Sequence, residues 1–156
     1  MRVKAFLFAL CCILLLGACG TPKTGGTVYN IMDYGAKGDG VTDDAAAIQT
    51  AINQCSKSGG GTVLVPAGRT FMCSPFHLAS FVELHLEPNS CLLANPDEAA
   101  YTLSAFRDNR GEGMMGIYGQ DLKEVAITGT GTIDGNGDSF MGKDLEDSYE
   151  LKPVND

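Results

Sequence analysis

The chain has 156 residues, with 11 Lys+Arg against 19 Asp+Glu and a net charge of −8. Apolar residues make up 44%, enough for one packed domain and too many for wholesale disorder. The acidic balance argues against a nucleic-acid partner, because phosphate binding needs clustered Lys and Arg. Twenty glycines, many beside short apolar runs, and no Trp suggest strands and turns rather than a helical bundle.

Residues 1–18 read as a lipoprotein signal peptide. Arg2 and Lys4 make a positive start, Ala5 to Leu16 is apolar throughout, and Gly17 and Ala18 are small. The apolar run is shorter than the roughly 20 residues of a spanning helix. Leu16-Gly17-Ala18-Cys19 resembles the bacterial lipobox, so Cys19 is the expected lipid attachment point and residues 19–27 a flexible tether. Cleavage would leave 9 basic against 19 acidic residues, a net −10. Such a surface gains nothing from anionic lipid, so the acyl chains would have to hold it. With no Asp after Cys19, resemblance to known lipoproteins implies an exported protein at the outer membrane.

Of six cysteines, Cys11 and Cys12 leave with the signal and Cys19 is used for lipid. Cys55, Cys73 and Cys91 specify neither a disulfide framework nor a metal site, and read as small buried hydrophobes.

Val28 to Tyr34 has strand character, with Val28, Ile31 and Tyr34 as bulky anchors, and Gly35 to Gly40 reads as a turn-rich loop. A helix is expected over Asp43 to Lys57, with Thr42 as N-cap and Asp43 and Asp44 in the first turn. Ile48, Ala51, Ile52 and Cys55 form its apolar stripe, and Ser58 with Gly59 to Gly61 ends it. The period then changes to 2. Thr62–Val65, Thr70–Cys73, Phe81–Leu86 and Ser90–Leu93 read as short strands, with Val82, Leu84 and Leu86 on one face. Asp97 to Met115 reads as a surface loop, and strands resume at Glu124–Thr128 and Gly131–Gly135. Short strands without crossover helices fit either an antiparallel sandwich or a parallel β-helix whose coils must stack to bury their faces. In the second case the helix is suited to cover the open first coil.

Three segments together carry a resemblance. Gly35-Ala36-Lys37-Gly38-Asp39-Gly40-Val41-Thr42-Asp43-Asp44, with Ala47-Ile48-Gln49 and Ala51-Ile52, resembles the N-terminal signature of the pectate-lyase-like β-helix superfamily, which also holds lyases and phage tailspikes. Gly59 to Gly68 continues it, and Leu78 to Leu93 looks like the next coil. Gly129-Thr130-Gly131-Thr132-Ile133-Asp134-Gly135-Asn136-Gly137 resembles the glycine-rich coil of glycoside hydrolase family 28, the polygalacturonases, with Phe140 and Met141 where that family usually has Trp. The resemblance implies an all-β, right-handed parallel β-helix with an N-terminal capping helix. Residues 28–156 would be the N-terminal part of an incomplete solenoid. Gly38, Asp39, Gly40, Thr42, Asp43, Asp44, Gly129, Gly131, Asp134, Gly135 and Gly137 are then structural motif residues.

The function implied is inverting hydrolysis of α-1,4-galacturonide bonds in pectin. That chemistry needs one carboxylic acid on the leaving oxygen and a second carboxylate activating water, roughly 6.5–9.5 Å apart. In the family they come from Asn-Thr-Asp and Asp-Asp segments, assisted by Gly-His-Gly and Arg-Ile-Lys. The Asp-Asp pair here, Asp43-Asp44, belongs to the helix-start signature instead, and the other segments do not occur. The catalytic residues are therefore expected beyond Asp156, and this chain alone is expected to be inactive. His77 and His85 lie outside any Gly-His-Gly, and His85 alternates onto the outer face of its strand. Asp134 reads as a turn former. The run from Asp134 fails the calcium-loop pattern at Ser139 and Leu145, and Gly35 to Gly40 lacks a phosphate-binding Lys-Ser/Thr pair. No cofactor or metal is expected. The implied partners are a pectic polysaccharide and, through the lipid, a membrane, the complete protein being a monomer. The competing readings are a non-catalytic glycan-binding or tailspike-like module, and a polysaccharide lyase of the same superfamily.

Overall fold

Strand β1 (Val28–Asn30) opens the computed structural model, which describes residues 26–102 and 116–140. A 3₁₀ turn over Ile31–Tyr34 follows, where Asn30 accepts from the Met32 N–H and ends the strand. Then come β2 (Asp39–Asp43), α1 (Ala45–Lys57), β3 (Gly61–Val65), β4 (Thr70–Cys73), β5 (Phe76–His77), β6 (Val82–Leu86) and β7 (Cys91–Ala94). After a second 3₁₀ turn (Glu98–Ala100) lie β8 (Ile117–Tyr118), β9 (Ala126–Gly129), β10 (Thr132–Asp134) and the short α2 (Gly137–Phe140).

Every strand pairing is parallel. Sheet A runs β1-β3-β6-β9, sheet B β2-β4-β7-β10, and sheet C β5-β8. The chain visits A, B and C in turn and returns one strand further along, which makes a right-handed parallel β-helix. Thr62 pairs with Glu83 and Thr70 with Cys91, each 21 residues on, so that is the length of the plain coil. From Glu83 to its next partner Ala126 the interval is 43 residues, and the excess lies between β7 and β8.

The first coil differs. After β1 in sheet A and β2 in sheet B, the chain forms α1 where later coils place a strand of sheet C. Ile48, Ala51, Ile52 and Cys55 are buried at the spacing of a single helical stripe, and α1 packs on β1, β3, β5 and β6. It ends at Ser58, where the Gly60 N–H bonds the Cys55 carbonyl and the Gly59 N–H that of Ser56, a Schellman stop. The core beneath is built from inward positions of successive strands: Val63 and Val65, Phe71, Phe76, Val82, Leu84 and Leu86, and Leu92. The buried, half-exposed alternation of β6 is the period-2 pattern of its sequence.

Four expectations are corrected. The helix begins at Ala45, not Asp43, and its N-cap is Asp44, which makes no side-chain capping bond. Thr42 lies in β2, and its hydroxyl donates to Asp39. The cause is that β2 continues through Asp43, with the Asp44 N–H still bonded to the Met72 carbonyl of β4. Residues 39 and 40, expected in a loop, belong to that strand, which is irregular: Asp39 and Asp43 oppose Thr70 and Met72, so extra residues bulge out. In the first strand Tyr29 is buried, whereas Val28 is 58% exposed. Glu124 precedes its expected strand, with φ 52°, and β9 starts at Ala126.

Candidate functional site

The N-terminal motif is a structural lock. Asp44 is only 2% exposed, and its two carboxylate oxygens accept from the N–H groups of Lys37 (2.7 Å) and Gly38 (3.0 Å). Gly38 has φ +62°, and a Cβ there would press into the Phe71 ring, so the loop passes over the core only as glycine. Gly40 sits beside Thr70. Asp39 accepts from the Thr42 N–H (2.7 Å), the Val41 N–H (2.9 Å) and the Thr42 hydroxyl (2.8 Å). Those bonds hold its carboxyl down to about 2.

Asp43 points away from Asp44. Its oxygens accept from the Ser74 N–H (3.0 Å), the Ser74 hydroxyl (2.5 Å) and the Ala45 N–H (3.1 Å), with the Asn95 amide at 3.5 Å. Burial alone would raise its carboxyl, but these donors outweigh burial and leave it below the ordinary range. Asn95 also donates to the Ser74 hydroxyl (2.9 Å), and Asn136 donates to the Ala94 carbonyl (3.0 Å). Asp43, Ser74, Asn95 and Asn136 thus form a polar stack at one corner of successive coils. The adjacent carboxylates Asp43 and Asp44 are not arranged as an acid and base facing one cleft.

In the second motif, Gly129 has φ +98°, and a Cβ there would collide with the Leu86 carbonyl. Gly131 lies against the Ser90 hydroxyl and Leu86, so this turn crosses the coil beneath at backbone contact. Asp134 accepts from the Asn136 N–H at 2.8 Å. Gly135 and Gly137 have open space around them. Cys19 lies outside the described residues. Cys55 and Cys73 are buried thiols and Cys91 a half-buried one, all free, and burial pushes Cys73 up to about 12.

The outer face of sheet A carries a network that the motif reading missed. Thr62 (β3) donates to one oxygen of Glu83 (β6) at 3.1 Å, and Thr128 (β9) to the other at 2.7 Å. His85 Nδ1 stands 2.7 Å from the Thr128 hydroxyl and 3.8 Å from Glu83. The Thr128 hydroxyl is the main cause that holds the Glu83 carboxyl below its ordinary range. The available signal was Glu83 and His85 at i and i+2 on the polar side of a strand; their partner Thr128 becomes adjacent only through the coil register His85–Thr128. His77 lies in β5, where its backbone is held by Gln49.

A cavity of about 280 Å³ is lined by Cys73, Leu92, Ala94, Tyr101, Ile117 and Ile133 among others. Its wall continues the inward row Phe71–Leu92–Ile133 of sheet B, and it is open to the surface at Ile133, which is 50% exposed. Among the described residues, no group of three or more His, Cys, Asp and Glu side chains is placed to hold a metal ion.

A coiled parallel solenoid with a helical cap, glycine-locked crossings and a hydrogen-bonding outer face defines the class of β-helix proteins. The chain belongs to the rhamnogalacturonase A/epimerase, pectate lyase-like family, which it matches over residues 28–115. It is 38% identical over 117 residues to alginate lyase 7 of Azotobacter vinelandii, covering 74% of this chain and 13% of that protein. It is 34% identical over 120 residues to a probable polygalacturonase of Vitis vinifera, covering 69% and 24%. The crystal structure of a hyperthermoactive exopolygalacturonase from Thermotoga maritima superposes with a TM-score of 0.62 at 35% identity, covering 70% of this chain and 25% of that one. The chain thus spans about an eighth to a quarter of these relatives.

Proposed function

We propose that this chain forms the first coils of an exported, lipid-anchored glycoside hydrolase that cleaves α-1,4-galacturonide bonds of pectic polysaccharide with inversion. The observation that carries the reading is the parallel solenoid of the described residues, which superposes on an exopolygalacturonase at 35% identity. In this reading the solenoid supplies a rigid face along which a glycan lies, and the acid and base project from coils other than those described. The carboxylates of Asp39, Asp43, Asp44 and Glu83 are each engaged by two or more local donors, so none is offered as the proton donor. Asp43 and Glu83 tie neighbouring coils together, while Asp39 and Asp44 hold the turn and the loop of their own coil.

The 38% identity to an alginate lyase favours a second reading, in which the glycosidic bond is broken by elimination. The products separate the two. Hydrolysis of polygalacturonate gives new reducing ends with saturated non-reducing ends. Elimination gives an unsaturated uronate at each cut, with its ultraviolet absorbance. The protein isolated from its native cells is expected to give the first pattern on polygalacturonate. Unsaturated products, or cleavage of alginate alone, would overturn the hydrolase reading.

A further inference from the structure

We draw no further inference here: the strongest candidate, the apolar cavity of about 280 Å³ that opens beside the half-exposed Ile133 at the last described coil, carries nothing, because nothing in the structure shows what covers it.

Discussion

Gln49 holds both polar groups of the His77 backbone: its Oε1 accepts from the His77 N–H at 2.9 Å, and its Nε2 donates to the His77 carbonyl at 3.1 Å. A primary amide here stands in for the neighbouring strand that sheet C lacks before β5. The helix therefore does more than cover the core end; it supplies the hydrogen bonds of the missing strand and blocks an open edge. Replacing Gln49 by Ala is expected to lower stability by about 1–2 kcal/mol, since each bond is worth roughly 1 and water can reach this surface. Gln49→Glu keeps the acceptor and should fall between the two. Urea midpoints check this, and an unchanged midpoint in Gln49→Ala would show that the edge needs no partner.

Asp44 is expected to matter more than its neighbour. Its removal leaves two backbone N–H groups without their acceptor beneath the Lys37–Gly38 loop, and bonds to a charged acceptor are worth about 1.5–3 kcal/mol each. Asp44→Ala should therefore lose on the order of 3 kcal/mol, and Asp44→Asn about half of that, because one acceptor oxygen survives. Asp43→Ala, at an exposed corner, should lose less. The reverse order would mean that the Asp43 stack, and not the loop lock, secures the first coil.

Stability should decline on both sides of neutrality. Asp39, Asp43 and Glu83 have carboxyls below their ordinary range in the folded state. Between the unfolded values near 4 and the folded ones, the unfolded chain binds more protons, so stability falls as pH drops below about 5 toward about 2. Cys73 is the opposite case. Its thiol is pushed up to about 12, so above roughly pH 9 the unfolded thiol ionises first and stability falls as pH rises. Denaturation across a pH series should show both limbs. Glu83→Gln should shallow the acid limb and Cys73→Ala the alkaline one, and parallel curves for these variants would contradict the assignment.

Lipid attachment gives a cell-based prediction. Labelled palmitate is expected to enter the protein in a bacterial host and to be lost in Cys19→Ser, with the product shifting to the soluble fraction. Incorporation that survives the substitution would place the lipid elsewhere or remove the anchor from the account.

Much of this fold was legible in the chain. The stripe Ile48, Ala51, Ile52 and Cys55 and the alternation Val82, Leu84, Leu86 report burial directly, because a helix and a strand each expose one period. Gly129 and Gly131 were recognisable as motif residues, and the structure supplies the reason, a crossing at backbone contact with Leu86 and Ser90. The start of α1 was not legible. Thr42-Asp43-Asp44 is a good local capping sequence, but Met72 and Ser74, about thirty residues away, compete for the same groups and win. The Glu83–Thr128 contact was hidden for a similar reason: 45 residues separate the partners, and the long interval between β7 and β8 breaks the 21-residue spacing that would have aligned them.

The most direct measurement on the proposed activity is proton NMR of trigalacturonate during its first turnovers by the protein isolated from native cells. Inversion at an α-linkage must release the β-anomer first, with the α-anomer appearing only by later mutarotation. That order is the expected result. First release of the α-anomer, an olefinic proton from elimination, or a substrate left intact would contradict it.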